Sequence, residues 1–158
     1  MNASLKLLVM TFGVTLSTMA TAASETFEAA RSEIMQAIAA MQAAANAHDS
    51  DRHVAYYAKD TSLVFVINSD KIVDWQPLLE QQRKWWNYGK TDVTYTQVGE
   101  TDFSMPAPGL VMTTYFLKSA SSGPDGSTVE MRFGIPALWQ KRSEGWRIIY
   151  AHESVVAK

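Results

Sequence analysis

The sequence contains no cysteine, which excludes disulfides, thiolate zinc sites and cysteine nucleophiles. It lacks a basic excess as well. Fourteen lysines and arginines stand against 16 aspartates and glutamates, for a formal net charge of −2. Nothing in the bulk charge would neutralise a phosphate backbone, so nucleic acid is not an expected partner. Charged residues are scarce at 19%, against 47% hydrophobic, a balance that excludes extensive disorder and supplies a real core. There is no G-x-S-x-G, no P-loop and no G-x-G-x-x-G, which removes the common nucleophile-elbow and phosphate-cradle chemistries. The apolar run from Leu7 to about Leu16 is too short to span a bilayer comfortably.

What is present begins with that run. Lys6 precedes it, small residues follow it, and Ala20-Thr21-Ala22 fits the A-x-A pattern of a signal-peptide cleavage site. Residues 1–22 are therefore expected to be an export signal. Residues 23–158 are expected to form a single domain, periplasmic or secreted, with no stable membrane insertion once the signal is removed.

The mature part changes character midway. Phe27, Ile34, Ile38, Met41 and Ala45 recur at helical steps, predicting a helix over 25–47. Asp49 or Ser50 can cap a second short helix, "DRHVAYYAK". "TSLVFVI" reads as a strand, "NSDK" as a turn and "IVDW" as a short return strand. "DWQPLLEQQRKWWNYG" reads as a third helix, with Asp74 as cap and Pro77 in its first turn. Four long strands follow, roughly 91–104, 110–120, 127–140 and 146–156, separated by "MPAPG", "SSGPDGS" and "KRSEG". Short breaks between long strands predict antiparallel hairpins. The fold class is α+β, with three helices from the N-terminal half packed on one face of a curved antiparallel sheet.

That order resembles the nuclear transport factor 2-like superfamily and, within it, the SnoaL-like proteins. The closing "GWRIIYAHES" is similar to the last hairpin and strand of that superfamily, and the calcium/calmodulin-dependent protein kinase II association domain ends similarly. "AHDSDRHVAYYAKDTSLVFV" resembles the passage from helix to first strand. The resemblance covers roughly residues 25–156. It implies a cone whose open end holds a small pocket, and a homodimer formed through a sheet face. The chain departs from the arginine-x-threonine signature that many relatives carry on the penultimate strand: alignment back from Trp139 puts Gly134 and Pro136 there.

On a regular final strand Trp146, Ile148, Tyr150, His152 and Ser154 share one face, and the resemblance implies that this face lines the cone. His152 would then be the acid/base candidate or a hydrogen-bonding group, with Tyr150 and Ser154 beside it. Arg132 and Glu130 alternate with Met131 and Phe133, so one pair faces in and the other out. An inward Arg132 would suit a carboxylate-bearing ligand. Tyr56 and Trp85 on the helices and Tyr115 on the middle strand complete the candidate ligand-binding set. "HDSDRH" reads as a helix junction with capping acids, so neither metal nor cofactor is expected. Three functions stay open: an exported small-molecule-binding protein, an isomerase, dehydratase or hydrolase using His152, and a non-catalytic dimeric assembly module. Mass spectrometry of the protein recovered from its native cell envelope should find a mature start near Ala23 or Ser24; an intact Met1 on soluble native protein would refute the export expectation.

Overall fold

The computed structural model describes residues 15–157, and side chains from residue 27 to 156. The expected export signal falls mostly outside the described residues. The described chain opens with a helix, α1 (Thr15–Asn46), followed by α2 (Ser50–His53) and a 3-10 turn at Val54–Tyr56. A hairpin comes next, β1 (Val64–Ile67) and β2 (Asp70–Val73), then α3 (Trp75–Trp85). Four long strands end the chain: β3 (Thr94–Ala107), β4 (Leu110–Ser122), β5 (Thr128–Arg142) and β6 (Gly145–Ala157). All six strands form one curved, unclosed sheet in the order β2-β1-β6-β5-β4-β3. Among the described strand pairs only β1–β6 is parallel; those two strands are joined by everything in between rather than by a hairpin.

Local chemistry explains the boundaries. Alanine-rich sequence favours α1 without adding bulk, and Ile34, Ile38, Met41, Ala44 and Ala45 turn its buried stripe to the sheet. The Asp49 carboxylate accepts from the Arg52 backbone N–H at 3.0 Å and caps α2. Asp74 accepts from the N–H of Trp75 at 2.6 Å and caps α3. The Trp75 indole N–H then donates to the Val54 carbonyl at 2.9 Å, locking α3 against the 3-10 turn. The sheet side of the core centres on Trp139, which is fully buried, with its indole N–H donated to the buried Thr113 hydroxyl at 3.0 Å. That bond satisfies both polar groups in an otherwise apolar layer.

Three register shifts interrupt the sheet, one of them beside the β3–β4 turn between Ser104 and Ala107. In β3 the register with β4 shifts between Val98 and Asp102, where Gly99 takes a φ of 74°. The Gln97 side-chain amide bridges the Gly99 carbonyl and the Thr101 hydroxyl across the step. In β6 the shift falls opposite Leu138 and Trp139: Leu138 pairs with Tyr150, but Trp139 pairs with Ile148. Ile149 is the extra residue of a β-bulge, and it reverses the inside–outside alternation of everything after it.

This corrects the expected facing of the last strand. Trp146 and Ile148 point into the core as expected, at 7% and 1% exposure. Beyond the bulge it is Ala151, Glu153 and Val155 that turn inward, and Tyr150, His152 and Ser154 that turn outward. The outer face also carries exposed Phe116, Val98 and Val156.

Candidate functional site

The concave face of the sheet and the helices enclose a cavity of about 430 Å³. One wall comes from β4, β5 and β6, through Tyr115, Phe133 and Glu153; the other comes from α2 and the end of α3, through His53, Trp85 and Trp86. Tyr95 of β3 closes the side. The aromatic rings pack at steep angles: His53 and Trp86 meet edge to face with centroids 5.0 Å apart, as do Tyr95 and Phe133 at 6.0 Å, while Trp86 and Tyr95 are tilted at 6.3 Å. Such geometry favours a fixed wall over a fluid one. The Trp86 indole N–H donates to the Tyr95 hydroxyl at 2.9 Å, which leaves the hydroxyl proton of Tyr95 free to donate elsewhere.

Tyr95 is held from outside the cavity. The side-chain amide of Asn46, the last residue of α1, accepts from the Tyr95 N–H at 2.7 Å and donates to the Tyr95 carbonyl at 3.0 Å. His48 contacts the Val93 carbonyl through Nε2 at 2.7 Å; a carbonyl only accepts, so that nitrogen carries the proton. The end of α1 therefore fixes the rim strand.

Glu153 is fixed with comparable precision. The Asn68 N–H donates to the Glu153 carbonyl at 2.9 Å, and the Asn68 side-chain oxygen accepts from the Val155 N–H at 2.9 Å. Asn68 sits at the β1–β2 turn with a φ of 51°, a left-handed conformation that asparagine tolerates better than most residues. The clamp holds β6 on both sides of Ser154 and aims the Glu153 carboxyl into the aromatic cavity. Burial alone pushes that carboxyl up to about 7, from 4.5, because desolvation disfavours its ionised form. No protein donor bonds it among the described residues.

The neighbouring groups respond to the same environment. Burial, and secondarily the Glu153 charge, raise Tyr57 and Tyr115 above their ordinary range. Tyr95 is raised by burial too, against the pull of the Trp86 bond. Burial lowers His53, while a 3.0 Å bond from Nδ1 to the Met41 carbonyl works the other way. That bond requires the Nδ1 proton and leaves Nε2 as an acceptor. The site thus combines one carboxyl able to gain or lose a proton near neutrality with a neutral imidazole and tyrosine hydroxyls, the components of proton transfer or of a polar anchor.

Of the seven residues expected from sequence, two line this cavity: Trp85 and Tyr115. Tyr56 packs partly buried against the core. Arg132 is exposed, in register between Lys118 and Val156, so it is not an inward anchor for a carboxylate. Tyr150 is 38% exposed and Ser154 exposed. His152 lies on the outer face beside Val66, with its Nε2 buried and unpartnered. The three outward residues of β6 share one cause, the extra residue at Ile149. The parity of the apolar residues carries a trace of it: Trp146 and Ile148 are even, whereas Ile149, Ala151 and Val155 are odd. Glu153, His53 and Tyr95 are the cavity residues that sequence reasoning missed. Among the described residues no three His, Cys, Asp or Glu side chains gather as metal ligands, and no helix is long and apolar enough to cross a membrane.

No protein-family model and no curated protein matches the chain. Solved structures match its fold. A protein with a cystatin-like fold, like nuclear transport factor 2, from Novosphingobium aromaticivorans aligns over 91% of this chain and 92% of its own, with TM-score 0.72 and 11% identity. A ketosteroid isomerase-like protein from Erwinia carotovora atroseptica aligns over 80% and 96%, with TM-score 0.64 and 16% identity. A Xanthomonas campestris protein described as a calcium/calmodulin-dependent protein kinase II association domain aligns over 78% and 86%, with TM-score 0.64 and 13% identity. The chain has the nuclear transport factor 2-like, cystatin-like cone fold. Proteins of that fold are described both as isomerase-like and as association domains, so function must be argued from the site.

The Glu153 environment sets a sign for the pH dependence of stability. Its folded-state pKa is raised, so the folded protein holds a proton that the unfolded chain has lost between pH 4.5 and about 7. Stability should fall as pH rises through that window and level off above it. Glu153→Gln removes this component. From pH 5 to pH 8 the variant should gain on the wild type by on the order of 2 kcal/mol in urea denaturation. His53 titrates in both proteins and cancels in the difference; a difference independent of pH would show that Glu153 is solvated.

Proposed function

We propose that the chain is a small-molecule-binding protein, exported, whose cone holds a largely apolar ligand with one polar group at Glu153. The observation that supports this most directly is the half-buried Glu153 carboxyl, turned into an aromatic cavity with no protein donor bonded to it among the described residues. A carboxyl in apolar surroundings is poorly solvated, and a ligand that completes it recovers that cost. The cavity's size suits a molecule of two or three rings, and its mix of aromatic wall and few polar groups is the usual make-up of a ligand site. The expectation of a carboxylate-bearing ligand loses its basis with Arg132 outside. The acid/base role considered for His152 has a better-placed carrier in Glu153, and an isomerase of this fold would use that carboxyl.

Tryptophol, tryptamine and indoleacetate share one ring system and differ in a single polar group, so they sample the site's chemistry. Isothermal titration should give saturable, one-to-one binding of tryptophol tighter than about 1 mM, or about 4 kcal/mol, and Leu117→Trp, which fills the cavity, should abolish it. Binding of none of the three indoles would refute the reading.

We propose also that two copies pair through the outer face of the sheet. Exposed Phe116, Val98, Tyr150 and Val156 support this, since large apolar side chains exposed together on one sheet face mark an interaction surface. The same contact would bury the open side of His152. Sedimentation equilibrium should find a dimer, weakened by Phe116→Lys; a monomer at high concentration would count against pairing.

A further inference from the structure

The cavity is unbalanced in charge. Among the described residues that line it there is no lysine and no arginine. Its ionisable lining groups are Glu153, His53, Tyr95 and Tyr115, and Tyr57 lies close enough to feel the Glu153 charge. These five come from β6, α2, β3, β4 and the segment after the 3-10 turn; α1, β1, α3 and β5 also line the cavity but add no titratable side chain to it. None of them is a cation at neutral pH. Burial lowers His53 and leaves its Nε2 as an acceptor. Glu153 when ionised and His53 through Nε2 are acceptors; the donors in the lining are uncharged, the amides of Gln82 and Asn68 and the hydroxyls of Thr91, Ser121 and the tyrosines.

The wall has the complementary property. Trp85 and Trp86 stand on one side, with Tyr95, Tyr115 and Phe133 opposite. The faces of such rings carry negative potential and attract a cation within about 6 Å of the centroid, most strongly at tryptophan. An anion would meet the Glu153 charge and the ring quadrupoles together. A neutral alcohol would leave the carboxyl to keep its own proton. A protonated amine matches both the carboxylate and the rings.

Resting on the ligand-binding reading above, we propose that the ligand is a cation: a protonated amine on a flat apolar body, with its ammonium at Glu153 and its body against the tryptophan wall. Binding then couples to proton release. In the free protein Glu153 is largely protonated at pH 6 and ionised at pH 8, given a pKa of about 7. The ammonium requires the ionised form, so binding at pH 6 expels one proton from the carboxyl to solvent. The three tyrosines are raised further from this range by burial, and burial disfavours the charged form of His53.

The test is isothermal titration of the folded protein with tryptamine, tryptophol and indoleacetate at pH 6 and pH 8. At pH 8 tryptamine should bind at least about tenfold tighter than tryptophol, and indoleacetate most weakly. Tryptamine affinity should rise about tenfold from pH 6 to pH 8, while tryptophol shows no such rise. Repeating the pH 6 titration in buffers of different ionisation enthalpy should count close to one proton released per tryptamine bound. Glu153→Gln should cost tryptamine far more than tryptophol; if that variant fails to fold, the proton count and pH dependence of the wild type decide alone. Tryptophol binding as tightly as tryptamine, or tryptamine affinity indifferent to pH, would overturn the cation assignment and leave the ligand-binding reading standing. Binding of none of the three would remove that reading, and the cation assignment with it.

Discussion

A single surplus residue in the last strand governs the interior of this protein. With Ile149 bulged out of the ladder between Leu138 and Trp139, β6 can send Trp146 and Ile148 into the deep core and still turn Glu153 and Val155 into the cavity farther along. A regular strand would have put His152 there and Glu153 outside. Two contacts hold the bulge in place. Tyr57 bridges to Ile148, and the Ala58 N–H donates to the Ile148 carbonyl at 2.9 Å. Farther along, Asn68 grips the backbone around Ser154. The helical half of the chain thus sets the phase of the strand it packs on.

The chemical character of the cavity follows from that phase. A carboxyl placed among rings, with no cation to answer it, keeps its proton to higher pH than an exposed glutamate would. Other polar groups around the cavity and the core are paired. Trp139 has Thr113, Trp86 has Tyr95, and Tyr95 has Asn46. Among the described residues the buried polar atoms without a partner are Trp146 Nε1 and His152 Nε2, both outside the cavity lining. Inside the cavity the unbonded charged group is the Glu153 carboxyl, where a ligand can relieve it.

The architecture was legible in the sequence because hydrophobic periodicity and turn residues report elements directly. The helix bearing Ile34, Ile38 and Met41, the Asp49 and Asp74 caps, the β1–β2 hairpin and the four long strands are all present, although α1 begins at Thr15 rather than near residue 25 and β3 runs on through Met105, Pro106 and Ala107, expected as a break. Trp85 and Tyr115 were found as aromatics on elements that the fold brings together. The assignment failed at the one place where period-2 reasoning assumes an unbroken ladder. Alternation predicts facing only until a bulge intervenes, and a bulge at two adjacent isoleucines leaves little mark on composition. Glu153 escaped notice for a further reason: a lone glutamate in a strand is ordinarily a solvated one. Its neighbours across the cavity, His53 and Tyr95, are separated from it by about a hundred and by roughly sixty residues of chain, distances over which sequence patterns carry no geometry.

The grip of Asn46 on Tyr95 has a second meaning at the level of the whole sheet. β3 is an edge strand of 14 residues, and an open edge of that length is a template for unwanted strand addition. Asn46 occupies both backbone groups of Tyr95, and His48 occupies the carbonyl of Val93 just before the strand begins. Farther along, the step at Gly99 breaks the ladder. The other edge, β2, is only four residues long and carries Asp70 and Lys71. The side chains that position the cavity rim therefore also keep the sheet from growing sideways, and loosening them would endanger solubility before it endangered the fold.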